Sequence, residues 1–251
     1  MALTDQQETL KQDLIDTGEE WDSTWETLLK LDQDYFAAYV GLRKVPRSQQ
    51  HLPLKFQELV LLAMDAACTH LYEPGIRLHT QQALKAGATE EEILETLQLS
   101  SVLGIHAVTM GVPTLLEVLR ENGRDIPRDL NERQEKLKAE FTKNRGYWSK
   151  SWDPVIRLSP DFFEAYTNFS SVPFLEGHQH LDAKTKEFMY TAIDCSTTHL
   201  FQPGLKVHLQ NAVRLGATNE EIMEVFALAS TMGGQTMHRG VSALMEASEH
   251  L

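Results

Sequence analysis

Two cysteines in 251 residues, Cys68 and Cys195, are too few for a disulfide framework. That scarcity suits a reducing compartment and a chain stabilised by its core. The pair is not a repeated motif either: 68 + 129 reaches Thr197, two residues from Cys195, and each cysteine reads as a small buried hydrophobe on a helix. Positive charge is also short. Lys and Arg number 23 against 36 Asp and Glu, which leaves a net charge of −13 and a pI near 5.2. A nucleic-acid partner or an anionic membrane surface would need a basic face, so neither is expected. The first residues lack the basic and apolar run of a signal peptide, and no apolar stretch stands out as long enough to span a bilayer. The expectation is a cytoplasmic enzyme or binding protein with no membrane partner. Period-two alternation bounded by turn residues is missing as well, which makes the expected fold all-α.

What is present is a repeat. The stretch Glu58 to His79 recurs as Glu187 to His208, and adding 129 carries Asp65 onto Asp194, His70 onto His199, Pro74 onto Pro203 and Gly75 onto Gly204. The match continues through Ala83, Gly87, Thr89 and Ile93 onto Ala212, Gly216, Thr218 and Ile222. Upstream, an offset of 127 carries Trp21, Trp25, Phe36 and Tyr39 onto Trp148, Trp152, Phe163 and Tyr166. These aromatic residues sit at helical spacing and read as core. The chain is therefore a tandem duplication with expected domains 1–124 and 125–251, joined through the polar run Arg120–Pro127. Two sites, or one at a pseudo-twofold interface, are expected.

Local signals place the helices. Thr4 with Gln7 caps a first helix expected to pack loosely, and Asp32 caps one bearing Tyr35, Phe36 and Tyr39. From Leu54 to about Leu71 the chain is apolar around most of a helical circumference, so this helix is central and its polar residues are informative. Pro74-Gly75 is expected to end it, with His79 early in the next helix. Gly87 and Gly216 suit helix ends, and Thr89-x-x-Glu92 and Thr218-x-x-Glu221 are capping boxes. Final helices are expected over Ala107–Leu119 and Met237–Glu249.

With a break near residue 72, Asp65 and His79 are each seven residues from it and should meet, an acid orienting an imidazole for general acid–base work. Asp194 and His208 repeat the arrangement. His70 and His199 lie at the mouths of the two hairpins. Glu58 and Glu187 are one further step along, about 10 Å deeper, and would reach the histidines through a partner helix or a water. A zinc or iron site at His70/His79 and His199/His208 is the competing chemistry, but nine residues across a break is not a metal-binding helical spacing, so no metal is assigned. His106 maps onto Gln235 and His238 onto Thr109, so these two histidines are half-specific.

The run His79-Thr-Gln-Gln-Ala83 through Gly87-Ala-Thr-Glu-Glu-Glu-Ile93, with Glu58 on the preceding helix, resembles the carboxymuconolactone decarboxylase and alkylhydroperoxidase-D superfamily. The resemblance spans roughly 54–119 and 183–246. It implies two alkylhydroperoxidase-D-like helical domains, a homo-oligomer and a small-molecule substrate. The peroxidase branch uses Cys-x-x-Cys, whereas the corresponding places here hold Tyr72 and Gly75, or His70 and Glu73, counted from either end, so a dithiol cycle cannot run. The decarboxylase branch implies a cofactor-free lyase or isomerase on a small organic acid or lactone. His79 and His208 would be its acid–base residues, with Asp65, Asp194, Glu58 and Glu187 orienting them. Arg77 and Lys206 would hold a carboxylate, and His70, His199 and His106 would contact substrate. The alternatives are an antioxidant, peroxidase-type relative and a non-catalytic oligomeric binding protein, the latter marked by dry histidines with no pocket joining them to solvent.

Overall fold

The computed structural model describes residues 2–126 and 128–249, and among them every regular element is helical. The first half contains α1 (Asp5–Asp16), α2 (Ser23–Leu31), α3 (Gln33–Gln49), α4 (Leu54–Asp65), α5 (Glu73–Lys85), α6 (Glu90–Ser101) and α7 (Ile105–Glu121). The second contains α8 (Glu132–Arg145), α9 (Trp152–Leu158), α10 (Pro160–Ser170), α11 (Ala183–Cys195), α12 (Gln202–Arg214), α13 (Asn219–Ser230) and α14 (Gly233–Glu249). The capping signals act as read: Thr4, Thr89 and Thr218 each close a reciprocal capping box, and Asp32 accepts from the Tyr35 amide. Helix α1 packs more firmly than expected, because Leu14 is fully buried in the aromatic cluster of Trp25 and Phe36.

Helices α4 and α11 form the centre and pack against each other as well as against α5 and α12. Their apolar circumference explains this, since Leu59–Met64 and Phe188–Ile193 have core neighbours on all sides. Helix α4 ends at Asp65, six residues short of the expected Leu71. The reason is a closed turn: His70 and Leu71 amides donate to the Ala67 carbonyl, Tyr72 donates back to Asp65, and Leu71 adopts a left-handed φ of 48°. Leu200 repeats that φ. Pro74 and Gly75 thus lie in the first turn of α5 and do not terminate α4. The final helices also start earlier than expected, at Ile105 and Gly233. The linker begins after Glu121, and its last residue, Pro127, lies outside the described residues.

The boundary at residue 124 divides the repeats in sequence but not in packing. Ile105, Val108 and Val112 of α7 pack on Leu137, Phe141 and Trp152 of the second half, while Met237, Val241 and Met245 of α14 pack on Leu14, Trp25 and Phe36 of the first. Each repeat therefore gives its last helix to the other. A second exchange is ionic. Glu95 of α6 accepts from the His180 and Leu181 amides and pairs with Lys186 at 2.6 Å, whereas Glu224 of α13 accepts from the His51 and Leu52 amides and from Gln57.

One sequence expectation needs correction. Glu90–Glu121 forms a 32-residue helical run whose best window has a mean hydropathy of 1.6, long and apolar enough by length and composition to cross a bilayer. The acidic residues collect near its two ends, so local composition hides the uncharged middle. A 3-10 turn at Val102–Gly104 divides the run, and Met110, Leu115 and Val118 are exposed on α7.

Candidate active site

The turn after α4 sets the register of the hairpin and thereby the site. Because the chain reverses near residue 70, His79 lies between Glu58 and Asp65, two helical turns apart on one face of α4. Its Nδ1 is 2.7 Å from Glu58 Oε2 and its Nε2 is 3.7 Å from Asp65 Oδ2. The expected Asp65–His79 approach is present, and the expected gap to Glu58 is not: the earlier break draws His79 into direct contact with it. The second half repeats the geometry, with His208 Nδ1 2.7 Å from Glu187 Oε2 and Nε2 4.0 Å from Asp194 Oδ2. Glycine is required where α5 and α12 cross the acids. A Cβ on Gly75 would lie 1.9 Å from Asp65 Oδ2, and one on Gly204 would lie 2.2 Å from Asp194 Oδ2. Gly204→Ala is accordingly expected to cost about 1–3 kcal/mol through overpacking against a short buried side chain, read as a lowered thermal midpoint.

The exchanged helices close each site from the other repeat. In the first half, Gln235 of α14 accepts from His70 Nε2 at 2.6 Å and donates to Asp65 Oδ1 at 2.8 Å, which holds His70 to its acid. The hydrogen bond to Asp65, above all, raises the His70 pKa. In the second half the equivalent residue is His106 of α7, whose Nδ1 lies 2.5 Å from His199 Nε2. Burial, with help from neighbouring imidazoles, pushes His106 down to about 4, and burial also lowers His199. Asp194, desolvated and only partly offset by His208, rises to about 7.

Charge separates the two sites. Arg47 ion-pairs with Glu58 and donates to Gln57 Oε1 at 2.9 Å, and Arg43 pairs with Glu19 at 3.1 Å. His79 is 5% exposed inside this network, beside a cavity of about 140 Å³. Burial would raise the Glu58 pKa, but the hydrogen bonds and charges of His79 and Arg47 outweigh it and leave it lowered. A carboxylate with a depressed folded pKa contributes stability above its unfolded value of about 4.3, and that stability is lost as pH falls through the folded pKa. Glu58→Gln should therefore flatten the acid limb of a urea-stability profile below about pH 5.

In the second half, Glu187 receives only His208 and Asn211 among the described residues. The cavity there is larger, about 230 Å³, and His106, Asp194, Tyr166, Tyr190, Phe201 and His208 are in its wall. Its cation is Arg145, the last residue of α8, which donates to the Ser170 carbonyl, lies 3.8 Å over the Phe174 ring and forms no ion pair among the described residues. Sequence reading missed Arg145. The offset of 127 maps it onto Gly18, while Arg47 maps onto Phe174, so each half draws its guanidinium from a different element and the repeat conceals both.

The expected cations are elsewhere. Arg77 pairs with Glu73 in solvent, its side chain 75% exposed, and Lys206 is exposed outside the cavity wall. Both precede their histidines by two residues, which on a helix points them to a different face. His238 reaches Asp22 at 2.7 Å. The metal pairs His70/His79 and His199/His208 are not the tightest group either, since the compact donor set is His106, Asp194 and His199.

The family model described as the carboxymuconolactone decarboxylase family matches residues 33–120 and again 160–247. The chain belongs to the carboxymuconolactone decarboxylase family. The two matches place the aromatic helices α3 and α10 within each family unit and end on the exchanged helices α7 and α14. Among solved structures, one described as a candidate gamma-carboxymuconolactone decarboxylase subunit from Burkholderia xenovorans LB400 is similar over 97% of this chain and 98% of its own, at 44% identity and a TM-score of 0.92. No curated protein matches. The tandem, all-α, alkylhydroperoxidase-D-like architecture expected from the repeat is thus that of this family member.

Proposed function

We propose that the second-half cavity is a lyase site that removes carbon dioxide from a small carboxylated lactone, with His208 as acid–base residue. The observation that carries the reading is His208 in the wall of a cavity of about 230 Å³, backed by Glu187 at 2.7 Å. Glu187 accepts the Nδ1 proton and fixes the tautomer, which leaves Nε2 free to exchange a proton with substrate. In the reaction, the bond from ring carbon to carboxylate breaks and carbon dioxide leaves. The electron pair passes into the conjugated lactone, and the His208 imidazolium delivers a proton to carbon before regaining one from solvent. One proton is consumed for each carbon dioxide released. Arg145 suits an anionic group of the substrate that stays through the reaction. Pairing it with the departing carboxylate would stabilise the ground state and oppose the reaction.

Two observations favour this over the peroxidase-type reading. Burial pushes the Cys195 thiol up to about 11, and neither Cys195 nor exposed Cys68 stands in a Cys-x-x-Cys pair. The non-catalytic reading required dry histidines without a pocket, and His208 is in a cavity wall. Self-association through the exposed apolar face of α7 is part of the same proposal, as is a cytoplasmic setting, and the mass in solution tests the former.

The test is turnover of carboxymuconolactone, followed by carbon dioxide release. Arg145→Met is expected to raise KM about 10- to 100-fold, the loss of a charge-assisted hydrogen bond. No turnover by the wild-type chain, or a KM unmoved by Arg145→Met, would contradict the reading.

A further inference from the structure

The two sites differ at one position in a way the acid–base reaction does not require. In the first half the Gln235 amide serves His70 and Asp65 at once, accepting from one and donating to the other. A histidine in the same place cannot close that circuit. His106 instead meets His199 nitrogen to nitrogen at 2.5 Å, with the rings 4.7 Å apart and nearly stacked. Oδ2 is unpartnered in both acids, but where Asp65 Oδ1 accepts from Gln235, the Oδ1 of Asp194, which is 3% exposed, has only His199 Nε2 at 3.7 Å. Among the described residues its carboxylate accepts no hydrogen bond. An unsatisfied buried carboxylate is costly, and the imidazole–imidazole hydrogen bond uses one N–H on one lone pair, so it brings no donor to Asp194.

We infer that His106, Asp194 and His199 form a binding site for one divalent transition-metal ion per chain, of the zinc or cobalt type. One ligating atom from each lies within 4.8 Å of the others. Bonds of about 2.0–2.2 Å in a tetrahedral arrangement place donors about 3.3–3.5 Å apart, so the imidazoles need to open by less than about 1 Å and the carboxylate to close by little more. Two nitrogens and one carboxylate oxygen suit zinc or cobalt better than magnesium or calcium, which take oxygen donors. All three residues are at or beside the cavity, and an open fourth position there would admit a water or an oxygen of a carboxylate or lactone. The site is not duplicated, because Gln235 replaces the histidine in the first half. The inference stands independently of the lyase reading.

Cobalt is the probe, titrated into the untagged, chelator-stripped full-length chain and followed by its visible d–d absorption, with zinc competition by calorimetry. The expected result is one equivalent per chain, weakened at least tenfold by His106→Gln, which copies the arrangement the first half already tolerates. Because His106→Gln reproduces a native solution, its circular dichroism should match wild type, and His199→Gln provides a second loss-of-site variant. Glu187→Gln, which removes the acid–base partner, should abolish turnover and leave cobalt binding unchanged, so the two proposals fail separately. No cobalt spectrum, two equivalent sites per chain, or unaltered affinity in both histidine variants would overturn the inference.

Discussion

His208→Gln is expected to lower kcat by about 10²–10⁴, while His79→Gln leaves turnover within about threefold. The difference follows from what surrounds each imidazole. Both rings meet a glutamate through Nδ1 at 2.7 Å. In the first half, however, Arg47 already neutralises Glu58, and Arg43 and Glu19 fill the approach with an ion pair. That leaves a smaller, more polar space beside His79, whose wall guanidinium, Arg43, is already paired. In the second half the cavity is larger, and among the described residues Glu187 has no arginine partner and Arg145 forms no ion pair. His79→Gln should instead act on stability, by about 1–3 kcal/mol, because a buried carboxylate loses one of its two strong partners. Parallel kinetic and urea-denaturation measurements on the two variants separate these effects.

The largest stability effect is expected at Glu95→Ala, about 3–5 kcal/mol in urea denaturation. Glu95 and Lys186 are 1% and 2% exposed, so removing the carboxylate strands an ammonium in the core and also orphans the His180 and Leu181 amides. Glu224→Ala is the matched control. It orphans the same kind of backbone amides at His51 and Leu52, but the side chain left behind is neutral Gln57. Its cost should be smaller, about 1–3 kcal/mol, and the excess at Glu95 measures the stranded charge.

Much of this architecture was legible because duplication displays it. The repeated Glu, Asp, His and His are the residues that the fold brings together in each half, the capping boxes fixed α6 and α13, and all-α character followed from periodicity. The register of the hairpin was not legible. It depends on left-handed Leu71 and Leu200, and leucine carries no sequence signal for that conformation. A proline is a visible stop, so Pro74 drew the expected end of α4 six residues too late and set Glu58 apart from His79. The helix exchange was hidden for a different reason: which half receives α7 and α14 is decided by long-range packing of residues such as Ile105 and Val241. Arg145 was hidden by the very reasoning that found the histidines. Reading repeated residues as functional overlooks a group found in one half, and half-specific His106 was noticed without its partners.

The central claim is one working site per chain, in the second half, built around an anion-binding guanidinium and a histidine. Calorimetric titration with a saturated carboxylated lactone, which binds but cannot expel carbon dioxide, tests it most directly. One equivalent per chain is expected, weakened at least tenfold by Arg145→Met and unchanged by His79→Gln. Two equal sites per chain, or one site indifferent to Arg145→Met, would contradict it.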